Sequence, residues 1–158
     1  MTLKCKNKKL VGITKKATIE FGDDLAINDI KIPGPGEYEI GGLLVTAPEE
    51  NVYSLRTEND LHVVFWHAQK NKISATSDEL GNIDALILSL GDDPKSVSGV
   101  VAVLNELEPA KIILSTPNIK EAFIKEEQIP TETVESWKVV PVVGENNRHL
   151  ILLPCSNE

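Results

Sequence analysis

IPGPGEYEIGG, residues 32–42, sets Pro33 and Pro35 and four glycines around the alternating run Glu37-Tyr38-Glu39-Ile40. Each proline fixes φ near −65° and removes a backbone donor. Each also drives the residue before it, Ile32 or Gly34, toward extended geometry. Gly34 and Gly36 can take positive φ without steric cost. The stretch therefore reads as a stiff turn feeding a strand. Glu37 and Glu39 fall on one face and Tyr38 and Ile40 on the other, the period of a half-buried strand. Gly41 and Gly42 then suit a bulge or a tight hairpin, after which Leu43, Leu44 and Val45 resume the strand. No side chain here is a nucleophile or an evident metal ligand. The two glutamates, about 7 Å apart on a strand face, read as solvated.

Outward from this corner the chain changes character near residue 80. Before it, strand signals alternate. Ala17, Ile19 and Phe21 oppose Lys16, Thr18 and Glu20, and Tyr53 and Leu55 alternate with Ser54 and Arg56. Such strands bury one face, as in an antiparallel sheet. Leu61 to Trp66 is a denser strand interrupted by His62. After residue 80 the strands are continuously apolar: Ala85–Leu88, Ile112–Leu114, Val139–Val143 (with Pro141 pointing to an edge) and Leu150–Leu153. Continuous apolar strands are buried on both faces. Asp93 and Pro94 can open a helix in which Val97, Val100, Val101, Leu104 and Leu107 form one stripe, ended by Pro109. Thr116-Pro117 repeats that start for a shorter helix with Ile119, Ala122 and Phe123. A helical turn fits Ser77–Leu80. The expected fold is α/β (α+β): one domain over 1–158, with a strand-rich half about 1–68 and a βαβ half about 80–158. Two sheets pack together, and helices cover one outer face.

The chain has 158 residues, 41% hydrophobic and 25% charged, with net charge −8. That length supports a real core. The acidic balance disfavours nucleic acid and anionic membrane. The one basic cluster, Lys4 to Lys9 and then Lys15 and Lys16, is short and reads as a solvated edge. No apolar run approaches the ~20 residues of a membrane span, and the start lacks a secretory pattern, so a cytoplasmic location is expected. Cys5 and Cys155 form no CxxC pair. Two free thiols are expected in a reducing compartment, with a bridge open only if the terminal strands are neighbours.

The order GPGEYE turn, Gly-interrupted strand, apolar strand, ELGNIDALILSLGDD, helix and EPAKIILSTP resembles the metallo-β-lactamase-fold superfamily. The similarity is to its branch of predicted zinc-dependent hydrolases with a GPGEYE segment, and it runs best over about residues 28–116. The resemblance implies the two-sheet sandwich and marks Gly34, Pro35, Gly36, Glu37, Tyr38, Glu39 and Gly42 as fold-motif positions. It also implies an H-x-H-x-D-H metal loop ahead of the GPGEYE segment, and this chain has none. No residue before that turn is a histidine. The family's Gly-Asp position falls near His67 and Ala68, and its later histidine near Pro117.

The metal loop thus reads as deleted, and the chain as a shortened, degenerate member. The chemistry lost is the zinc-bound hydroxide, which needs imidazoles and carboxylates around the metal. The expected function is non-catalytic: protein binding or self-association, with no cofactor and a homodimer or protein partner. Strand 61–66 or the hairpin after Gly41 is the expected interface. The competing readings are a small-molecule binding module and a compact metal-dependent hydrolase with a rearranged ligand set. For the hydrolase, zinc would sit among His67, Asp92, Asp93 and His149. His62 and His67 face opposite ways on one strand, so they cannot share a site.

Overall fold

A computed structural model of the chain describes residues 1–68, 80–90, 97–115, 129–141 and 148–155. The two expected sheets are present. The first contains, in spatial order, β13 (Ser136–Lys138), β1 (Thr2–Lys6), β2 (Lys9–Ile13), β3 (Thr18–Phe21), β4 (Leu25–Ile27) and β5 (Ile30–Lys31). Every pairing in it is antiparallel. The second runs β12 (Thr131–Thr133), β14 (His149–Leu152), β11 (Lys111–Leu114), β10 (Ala85–Ser89), β9 (His62–His67), β8 (Val52–Arg56), β7 (Leu43–Glu49) and β6 (Gly36–Ile40). It is mixed: β6 to β9 pair antiparallel, and β9, β10, β11, β14 and β12 pair parallel.

Strand parity places the core. Leu3, Ile19, Phe21, Leu25 and Ile27 of the first sheet meet Val45, Tyr53, Leu55, Val63, Phe65 and Ile87 of the second. Phe65 is central, with Phe21 edge-on at 5.3 Å and Tyr53 stacked at 6.1 Å between ring centroids. The opposite face of the second sheet, with Val64, Trp66, Leu86, Leu88, Ile112 and Leu150, is covered by Val100, Leu104 and Leu107 of helix α1 (Val97–Leu107). Val100, Leu104 and Leu107 of the sequence stripe are therefore buried, with Val101 partly so, while the expected start at Asp93–Pro94 lies outside the described residues. Valine and glycine give this helix low intrinsic propensity, so packing on the sheet holds it. It ends where Glu108 takes φ 51° and donates its N–H to the Leu104 carbonyl, just before Pro109.

Several expectations change. Among the described residues α1 is the single full helix on the outer face; the helix expected at 117–123 and most of the turn at 77–80 lie outside them. Of the strand expected at Val139–Val143, residues 139–141 follow β13 (Ser136–Lys138) on the edge of the first sheet and are not in a strand, and Val142 and Val143 lie outside the described residues. Lys4 and Lys6 lie on the outer face of an interior strand, not on an edge. On that face Lys4, Val11 and Glu20 share one row, and charged side chains leave no broad apolar patch to cover. Strand 61–66 is buried throughout in the middle of its sheet, so it cannot be a docking surface. Cys5 and Cys155 are not free thiols: they form a disulfide with Cα atoms 5.5 Å apart. Cys5 lies on β1 of the first sheet and Cys155 just after β14 of the second, so the bridge joins the two sheets.

Candidate functional site

The GPGEYE corner carries no reactive group, and its geometry is structural. Gly34 and Gly36 adopt φ of 154° and 147°, a region effectively reserved for glycine. The Tyr38 hydroxyl donates to the Gly34 carbonyl at 2.8 Å, folding the ring back over the turn. Glu37 and Glu39 are exposed and Tyr38 and Ile40 half-buried, as alternation predicts. Gly41 and Gly42, at φ 58° and 75°, form a two-residue hairpin loop between Ile40 and Leu43. Pro35 lies exposed in the turn itself.

Catalytic clefts of layered α/β folds lie beyond the carboxyl ends of parallel strands. In this chain that edge carries His67, the last residue of β9. Odd parity turns its ring inward, beside Phe65 with centroids 6.1 Å apart. The ring is only 2% exposed, and Nε2 lies 3.6 Å from Asp23 Oδ1, contributed by the turn between β3 and β4. Its backbone N–H donates to the Asn51 carbonyl. Nearby, Tyr53 is buried, and its phenol is pushed above its ordinary pKa by that burial and then by Asp24, Tyr38 and Glu50. This edge is thus an aromatic floor with a single inward imidazole and acidic turns around it.

Zinc needs three or four nitrogen, sulfur or oxygen ligands within about 2.0–2.3 Å. The described residues do not offer that set. His149 opens β14, three strands across from β9 and level with Val63 rather than His67. It is therefore roughly 20 Å from His67 by strand spacing and rise, and its Nδ1 lies 2.8 Å from Lys111 Nζ. Asp92 and Asp93 lie outside the described residues. Both cysteines are bridged. Among the described residues no group of three or more His, Cys, Asp or Glu side chains is placed to hold a metal ion.

His62, on the opposite face of β9, is hydrogen-bonded through both ring nitrogens. It is 1% exposed. Nδ1 lies 2.8 Å from the Asn82 carbonyl and Nε2 2.5 Å from Ser54 Oγ. A carbonyl can only accept, so Nδ1 carries the proton and Nε2 accepts from the serine hydroxyl. Burial lowers its pKa, and Arg56 adds to this; the Asn82 carbonyl and Asp84 act the other way. A Ser–His pair oriented by a carbonyl resembles an activated nucleophile, but Ser54 is itself buried. The arrangement satisfies polar groups under the helix layer. Sequence reading missed this pair, although the register of two neighbouring strands makes Ser54 and His62 diagonal neighbours. It also missed Asp23, whose only signal was the Gly22-Asp23-Asp24 turn.

No protein-family model matches the chain, and no curated protein matches it. Among solved structures the chain is similar to a predicted Zn-dependent hydrolase of the metallo-β-lactamase superfamily from Thermotoga maritima. The TM-score is 0.55 at 14% identity, covering 97% of this chain and 100% of that one. At that identity the likeness shows the fold alone, and it supports the metallo-β-lactamase-like architecture expected from the GPGEYE segment.

Proposed function

We propose that this chain uses a metallo-β-lactamase-like scaffold without its metal chemistry and acts by binding an extended segment of a partner protein. The observation that carries this reading is the open end of the second sheet. Among the described residues β6 is the terminal strand, and the residues joining it to β5 bring the end strands of both sheets to one flank. Ile30 (54% exposed) and Leu44 (49% exposed) stand out on that flank. An open edge strand is a template for strand addition.

The charges select the partner. An antiparallel, face-matched pairing of β6 with a second copy sets Glu37 or Glu39 against an identical or neighbouring glutamate, which is destabilising. The homodimer expected from the sequence is disfavoured along this edge. A strand alternating Lys or Arg with apolar residues meets the glutamates with its charges and extends the Tyr38–Ile40 row with its apolar side.

Hydrogen exchange at the β6 amides tests this. A synthetic Lys–Val alternating peptide should protect them, a Glu–Val peptide should not, and Glu37→Lys/Glu39→Lys should abolish the protection. Equal exchange with and without the Lys–Val peptide contradicts the reading. Of the metal-dependent alternative's candidates, His67 and His149 are described; His67 is already packed on Phe65 and paired with Asp23, and His149 lies three strands away beside Lys111.

A further inference from the structure

We infer that the opposite edge of the sandwich, at the amino ends of the parallel strands, is a binding site for a small amphipathic organic anion, an alkyl chain ending in a carboxylate. A cavity of about 610 Å³ opens there, within the size range of small-molecule sites. It lies at the start of β9, and His67 at the other end of that strand is roughly 20 Å away, so it shares nothing with the carboxyl-end edge. The inference is independent of partner binding at β6.

The floor is apolar. Leu43 and Leu61 are buried beneath it, and Val139 and the half-exposed Val140 form one wall. The rim is cationic. Among the described residues, the charged side chains lining the cavity are Lys15, Lys16, Lys138 and Glu58. Lys16 Nζ and Glu58 Oε1 pair at 2.6 Å, which neutralises the one carboxylate. Lys15 and Lys138 take part in no ion pair among the described residues. Three positive side chains less one negative leave the described lining side chains at +2, with the Met1 amine beside Lys138, in a chain whose net charge is −8. An acidic molecule that concentrates unpaired ammonium groups over an apolar floor attracts an anion to that point, and the floor gives an alkyl tail a place to leave water.

The walls are also fixed before any ligand arrives. Thr14 Oγ1 accepts from the Ala17 N–H at 3.0 Å, and Thr57 Oγ1 accepts from the Leu61 N–H at 3.1 Å, so both lining loops are pinned by threonines. Asn28 Nδ2 donates to the Lys16 carbonyl at 3.2 Å. Loops held in this way lose little entropy on binding.

Octanoate is the probe, followed by amide chemical shifts. Saturable shifts should appear in 14–17, 41–43, 57–61 and 138–140. Inorganic phosphate, which has charge without a tail, and octan-1-ol, which has a tail without charge, should each bind more weakly. Lys15→Gln/Lys138→Gln should weaken octanoate about tenfold, the worth of two exposed charge contacts. Both lysines are exposed, so the variant should keep its melting temperature. Lys9→Gln, outside the cavity, should bind as the parent does. The inference is overturned if octanoate gives no saturable shifts, if the shifts map elsewhere, or if the double variant binds as tightly as the parent.

Discussion

His62 shows how one side chain couples the sheet to its helix-facing layer. Its ring is neutral in the fold because Nε2 must accept from Ser54 and because burial penalises charge. The folded pKa is depressed below the unfolded value, near 6.5. The unfolded chain therefore binds more protons in that range, and stability rises with pH. The contribution should be complete above about pH 6.5 and lost as pH falls from there through the folded pKa. Urea titrations at several pH values should show the parent losing stability over that window and His62→Gln losing less. A parent with flat stability across it would remove the neutral-imidazole account. None of this was legible from composition. The sequence showed a lone histidine interrupting an apolar strand, and it became a satisfied core group only once β8 and β9 were set in register.

At the scale of elements, two glycines make opposite predictions. A Cβ on Gly41 would stand 2.9 Å from both Ala17 Cβ and Asn28 Nδ2 and 3.2 Å from the Lys16 carbonyl, at φ +58°. Gly41→Ala should therefore cost about 1–3 kcal/mol, through overpacking and left-handed strain. Gly99 sits in α1 with nothing among the described residues within 4 Å of an added Cβ. Gly99→Ala should stabilise by about 0.5–1 kcal/mol, the helix-propensity difference. Chemical denaturation of both variants checks the pair, and a Gly41→Ala protein as stable as the parent would contradict the hairpin packing. Elements with strong period were legible: β3, β6, β10 and the α1 stripe all stand where alternation or helical spacing placed them. β1 and the start of β2 were obscured because their outward residues include Lys4, Lys6 and Lys9, and a basic run reads as surface whether or not it is a strand. β4 and β5 have three and two residues, too short for any period to show. Their Asn28–Asp29 connection, with both φ values near +60°, gave the turn chemistry that could have revealed them.

For the whole molecule, the disulfide is the feature furthest from sequence reading. Cys5 and Cys155 are 150 positions apart, and only the docking of the first sheet on the second brings them together. Closing so long a loop restricts the unfolded chain, and Cys5→Ser/Cys155→Ser should lower stability by about 2–5 kcal/mol, with full-strength reductant doing the same to the parent. A variant as stable as the parent would mean the bridge adds nothing. Such a bond persists in oxidising compartments and in intracellular proteins of hyperthermophiles, so the cytoplasmic location expected from free thiols depends on its redox state. No described helix is long and apolar enough to cross a membrane. The sandwich itself was legible because the GPGEYE corner, the change from alternating to continuous strands and the βαβ order all agree. The proposed cavity was not, because its lining comes from separate segments around residues 14–16, 41–43, 57–61 and 138–141. The central claim is that this scaffold works without a metal centre. Elemental mass spectrometry on protein purified without tags or chelators addresses it most directly. The account predicts folded protein with zinc, iron and manganese far below one atom per chain, and near-stoichiometric metal that His67→Ala removes would contradict it.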